Sequence, residues 1–139
     1  MQYIYKGIMK RLFAVAAVVL VSVGAMAQSF SIGIAGDIPD EARVVLEQRF
    51  TQMLESAGFT VEADAQPIEI IPAINESMTT PGSMSQKVLV LDIKATAGEV
   101  EEVFTVKGVG KDLDDAWLRA VKQILPSSRA AKEFVEKLK

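Results

Sequence analysis

Residues 87–96 (KVLVLDIKAT) restrict what this chain can fold into more than any other segment. Val88, Leu89, Val90 and Leu91 make the first half of the run apolar at every position. Successive side chains of a strand point to opposite faces of its sheet. A strand that is apolar at both parities points to a central strand, with neighbours on either side. Ala97-Gly98-Glu99 turns the chain, and residues 100–107 (VEEVFTVK) return with Phe104 and Val106 on one face. The two runs read as a β-hairpin, and the rest of the chain must supply the sheet's other neighbours and its covering layer.

Upstream, Phe30, Ile32 and Ile34 alternate with small residues and predict a first strand over 30–35. Gly36-Asp37-Ile38-Pro39 turns into a helix, with Asp37 or Asp40 as the expected cap and Pro39 suited to the first turn. Val45 or Leu46, Phe50, Met53, Leu54 and Ala57 recur at helical spacing, with Glu41, Arg43, Glu47, Gln48 and Glu55 facing outward. Gly58 ends the helix where a positive φ is needed. Residues 59–63 (FTVEA) read as the next strand, completing a β-α-β opening. Residues 67–71 (PIEII) alternate weakly and read as a further strand. Residues 76–86 (ESMTTPGSMSQ) have no periodicity and predict a long exposed loop.

Downstream, Gly108-Val109-Gly110-Lys111-Asp112 leads into a second helix, with Asp112 as N-cap and Asp115 three residues on, close to a capping box. Its apolar face is Leu113, Ala116, Trp117, Ala120, Val121 and Ile124, and Pro126 is the expected stop. Ser127 or Ser128 caps a last helix with Ala131, Phe134, Val135 and Leu138 on its inner face. The fold class that follows is α/β (α+β): a two-layer sandwich, with a mixed sheet of four or five strands and three helices mainly on one face.

Ahead of the first strand lies an export address. Lys6, Lys10 and Arg11 form a basic start, residues 12–23 (LFAVAAVVLVSV) an apolar middle, and Gly24-Ala25-Met26-Ala27 a small-residue exit. These are the parts of a signal peptide, and cleavage is expected between Ala27 and Gln28. Residues 1–27 are then signal and 28–139 a single α/β domain, with the periplasm or the exterior as destination. The alternative is a retained anchor, since no charge falls between Arg11 and Asp37. Met9 also offers a more compact start than Met1. Removal of Lys6, Lys10 and Arg11 takes the formal net charge from −3 to −6. That balance argues against nucleic acid, and against anionic lipid once the signal is gone, because both require clustered Lys and Arg.

The chain has no Cys and no His. That removes a lipid-anchoring thiol, disulfides, thiolate metal sites and imidazole bases, and leaves carboxylate, Lys and hydroxyl chemistry. No cofactor is implied. Gly108-Val109-Gly110-Lys111-Asp112 lacks the spacing and the hydroxyl of a phosphate-binding loop, and Asp112, Asp114 and Asp115 would repel phosphate. The same three carboxylates lack the spacing of a calcium loop and suit a helix N-terminus instead. Glu99, Glu101 and Glu102 cluster at a turn, as solvated charge does. Trp117 shares its stripe with core residues and is expected to pack on the sheet. Met78, Thr80, Pro81 and Met84, in the expected loop, form a candidate partner-binding surface, Met being adaptable in contact.

The mature chain resembles a group of small exported proteins of Bacteroides-like bacteria. The resemblance rests on Phe30-Ser31-Ile32-Gly33-Ile34 with Ile38-Pro39, on residues 46–58 (LEQRFTQMLESAG), on Pro81 before an apolar strand, and on Phe104 to Gly110 with Ala116 and Ala120. Its order of elements is also similar to the α/β domains of the curli-secretion channel lipoprotein and of penicillin-binding-protein activator lipoproteins. The resemblance implies a cell-envelope role in binding another protein, without carrying over any catalytic residue. The expected function is thus a non-enzymatic protein-binding module of the envelope, acting through an exposed sheet edge or the 76–86 loop. The alternatives are an enzyme or small-ligand binder whose site is invisible in linear sequence, and a secreted inhibitor or host-directed factor.

Overall fold

The computed structural model describes residues 28–139. The expected signal segment, including Ala27 at the cleavage site, lies outside the described residues. Five strands form one mixed sheet: β1 (Ser29–Ile34), β2 (Thr60–Val61), β3 (Gln66–Thr79), β4 (Lys87–Ala97) and β5 (Val100–Gly110). Their order is β2-β1-β3-β4-β5, so the doubly apolar β4 is an interior strand. β1 is parallel to β2 and β3, and β3, β4 and β5 are antiparallel neighbours. Three helices, α1 (Asp40–Ser56), α2 (Leu113–Val121) and α3 (Arg129–Leu138), cover one face. The two-layer α/β arrangement is the one its residue pattern predicts.

The covered face of the sheet carries Phe30, Ile68, Ile70, Leu89, Leu91, Ile93, Phe104 and Val106, all buried. Phe50 from α1, Phe104 from β5 and Phe134 from α3 meet edge to face, with ring centroids 5.2, 6.3 and 6.2 Å apart. That geometry sets the positive ring edge against the negative ring face and adds to the gain from burial. Trp117 packs into the same core.

α1 starts differently from its expected cap. Pro39 occupies the N-cap position and no side chain caps the helix. Asp37 stands two residues too early, and Asp40 already lies in the first turn, where with Glu41 it faces the positive end of the helix dipole. Arg43, expected to face outward, turns back to the end of β1. Its Nη1 donates to the Ile34 carbonyl and its Nη2 to that of Gly36, both at 2.7 Å. At the other end, Gly58 has φ +92°, and its N–H donates to Glu55 O while that of Phe59 donates to Leu54 O. This pair of bonds is the Schellman closure that a Gly at C′ permits.

The strand expected over 59–63 shrinks to Thr60–Val61: the Phe59 N–H is taken by Leu54 O at the helix end, and its ring packs against Phe30 at 5.3 Å. The loop expected over 76–86 is corrected more deeply. β3 runs on to Thr79, and Glu76, Ser77, Met78 and Thr79 pair with Val90, Leu89, Val88 and Lys87. Their side chains are exposed, so they carry no hydrophobic alternation, and it is the backbone of β4 that holds them. The reversal itself is only 80–86. The register shifts between Ile74 and Glu76, leaving Asn75 as a bulge.

Gly108 and Gly110, expected in a strand-to-helix turn, belong to β5. A β-carbon on Gly108 would sit 2.6 Å from Ala120 N and collide with the Ala116 carbonyl, and one on Gly110 would sit 2.7 Å from Ala116 N. The bare backbone lets α2 rest directly on the strand. Asp112 caps α2 as expected, accepting from Asp115 N at 2.8 Å. The helix ends at Val121, well before Pro126, in two tight i→i−3 turns through Gln123 and Ile124. Leu125, preceding Pro126, is disfavoured in the α conformation, so the helix winds down early. Leu113, expected on the apolar face, is 42 % exposed. It opens the helix at the end of the sheet, while Ala116 and Ala120 make the close contact. Ser128 caps α3, accepting from Ala131 N.

Candidate protein-binding surface

Among the described residues, no element covers the sheet face opposite the helices or pairs with the outer edge of β5. On the open face, the register aligns Ala73, Asp92 and Thr105 across three strands. The bulged Asn75 donates to Asp92 Oδ2 and Thr105 Oγ1 donates to Oδ1, each at 2.7 Å. These two bonds, Asn75 first, hold the Asp92 carboxyl below its ordinary range. The cluster ties three strands together through one acceptor, with one donor on each carboxylate oxygen.

The edge follows from the hairpin. Gly98 and Glu99 form a two-residue turn, so Ala97 and Val100 close it as a hydrogen-bonded pair. Strict alternation then turns the N–H and C=O groups of Val100, Glu102, Phe104, Val106, Gly108 and Gly110 toward β4. Those of Glu101, Val103, Thr105, Lys107 and Val109 turn outward. Lys137 Nζ donates to Glu101 O at 3.2 Å, as an outward carbonyl allows. Lys137 also pairs with Glu102 Oε1 at 2.9 Å, a bond that raises its pKa. α3 thus covers the Glu101 end of the edge. From Val103 to Val109 no backbone bond covers it among the described residues.

Beside that open stretch runs a groove of about 650 Å³. The strand at Lys107, Gly108 and Val109 forms one wall. The other is Asp115, Leu118 and Arg119 of α2 with Lys122 at its C-cap. Asp115 accepts from the Lys111 N–H and from Arg119 Nε, both at 3.1 Å. The Lys111 bond is the chief cause that holds its carboxyl below the ordinary range.

The residues singled out in sequence fall elsewhere. Met78 lies in β3 and is 47 % exposed. Thr80 closes the reversal, its N–H donating to Gln86 O and its Oγ1 accepting from Gln86 N, both at 2.8 Å. Pro81 and Met84 lie on the turn, with Met84 88 % exposed. Thr80, Pro81 and Met84 therefore share one tip, and Met78 stands on the strand leading to it. Gln28 is exposed, and its carbonyl accepts from Thr60 N at 3.0 Å. Among the described residues no group of three acidic, His or Cys side chains could hold a metal, and no helix is long and apolar enough to cross a membrane.

No protein-family model and no curated protein matches this chain. Among solved structures it is similar to a minor lipoprotein from Acinetobacter baumannii, at 8 % identity over 80 % of this chain and 91 % of that one, with a TM-score of 0.44. It is also similar to a PelC dodecamer from Paraburkholderia phytofirmans, at 13 % identity over 72 % and 87 % of the two chains, with a TM-score of 0.41. No residue role is carried over from either.

Sequence reasoning missed the groove. The spacing of Asp115, Leu118, Arg119 and Lys122 marks one helix face, so half of the signal was readable. That this face lies along the outer edge of β5 follows from Gly108 and Gly110 seating α2, a long-range fact with no linear signature.

Proposed function

We propose that this chain is an exported cell-envelope protein that acts by binding another protein along the outer edge of β5, and not by catalysis. One observation carries the reading: among the described residues, the outward backbone groups of Val103, Thr105, Lys107 and Val109 have no strand partner. An uncovered edge of this length is a template for a further strand. The pattern of residues 1–27 supports export. The lack of His and Cys, with Asp92 and Asp115 already engaged in local hydrogen bonds, favours binding over chemistry.

The test is cross-linking in intact cells with a C-terminally tagged protein, comparing wild type with Thr105→Pro and Thr105→Val. Proline removes the outward N–H and leaves the β4 ladder bonds intact. Valine keeps that N–H and loses only the hydroxyl bond to Asp92. We expect an envelope partner that Thr105→Val retains and Thr105→Pro loses, with circular dichroism showing that both variants fold. Release into the medium with no envelope partner, or capture indifferent to Thr105→Pro, would overturn the reading. A second surface, the tip bearing Met84, is favoured by that side chain's exposure, and capture lost in Met84→Ser alone would move the site there.

A further inference from the structure

Resting on the edge reading above, we infer that the strand received by β5 is an extended acidic segment of the partner, seated in the groove between β5 and α2. Three cations line that groove: Lys107, Arg119 and Lys122. Its one carboxylate, Asp115, accepts at Oδ2 from the Lys111 N–H and from Arg119 Nε, so three cations face one acid. Among the described residues Lys107 and Lys122 make no ion pair, and the Arg119 side chain is 63 % exposed with only its Nε bonded. Asp40 and Glu41 share a neighbouring groove with Lys122, yet neither pairs with it. The groove is thus a positive strip on a chain whose net charge is −3.

The geometry also selects an extended segment and fixes its position. Outward groups on β5 recur every second residue, about 6.6 Å apart, which is the repeat of a paired strand. Alternate side chains of an added strand then fall on the α2 side, against Arg119 and Lys122. At the far end of the edge Lys137 occupies the Glu101 carbonyl, and Glu101 itself adds negative charge. An acidic segment is therefore drawn to the stretch from Val103 to Val109 and repelled from the turn.

Fluorescence anisotropy on the purified protein tests this with three short labelled probes. One alternates Val and Glu, one alternates Val and Lys, and one is the Val/Glu peptide with its central Val replaced by Pro. We expect the Val/Glu probe to bind about tenfold or more tightly than the other two, and to weaken as salt is raised. The double variant Arg119→Glu, Lys122→Glu should reverse the charge preference, and Thr105→Pro should abolish binding of every probe. Equal binding of the Val/Glu and Val/Lys probes would overturn the acidic preference and leave the edge reading standing. Failure of all probes, in a protein whose captured partner is still lost in Thr105→Pro, would overturn the proposed occupant alone. A protein that sediments as a dimer, and as a monomer in Thr105→Pro, would show that the edge receives a second copy, which also overturns it.

Discussion

Gly108 has no room for a β-carbon, since Ala116 O and the backbone of Ala120 already fill that space. The atoms in the way are helix backbone, so no side-chain rotation relieves the clash, and α2 must lift from β5. Overpacking of this kind costs roughly 1–3 kcal/mol. Gly108→Ala should lose about that much in urea unfolding. Gly33→Ala, where nothing lies within 4 Å of the added carbon, should stay within about 0.5 kcal/mol of wild type. Equal effects at the two positions would remove the steric account of the G-x-G sequence. The pattern was visible in sequence, but its purpose was not. A strand that needs small residues for a crossing helix and a loop that needs them for a turn look the same until the helix is placed.

At the scale of the element, β5 is a strand with two different sides. Amides bonded into the β4 ladder exchange with solvent only when the hairpin opens, whereas outward amides are accessible in the folded state. Hydrogen exchange followed by NMR should show slow amides at Phe104, Val106 and Gly108 and fast ones at Val103, Thr105, Lys107 and Val109. Uniform protection along the strand would mean that the edge is already covered. The hairpin that creates this alternation was legible, because Gly98 breaks two runs whose apolar periods are strong. The same reasoning missed Glu76 to Thr79, which are polar or exposed at both parities and owe their strand to pairing with the first residues of β4. Capping divides in the same way. Asp112 and Ser128 cap as their positions predict, while Asp37 and Asp40 are displaced by Pro39. The edge site needed the order of strands and the seat of α2 together, so local patterns held only its fragments.

For the molecule as a whole, Asp92, Asp115 and Lys137 link folding to pH. Asp92 and Asp115 have pKa values lowered by folding, so the unfolded chain binds protons more readily there. Their contribution is complete above the ordinary Asp value near 4 and is lost as pH falls through the lowered values. Lys137 is raised by Glu102, so its contribution is complete below the ordinary Lys value near 10.4 and is lost as pH rises past it. With no His to titrate between, urea midpoints should be level from about pH 6 to 9 and fall on both sides. A slope inside that window would reveal a coupled group elsewhere. The two ends of the sheet are also unequal. β2 offers two residues at one margin and β5 eleven at the other. Among the described residues β5 is the longer of the two edge strands, and a strand laid on it gains the longer ladder. Strand addition is therefore directed to one side of the sheet, so the fold itself sets which margin a partner can extend.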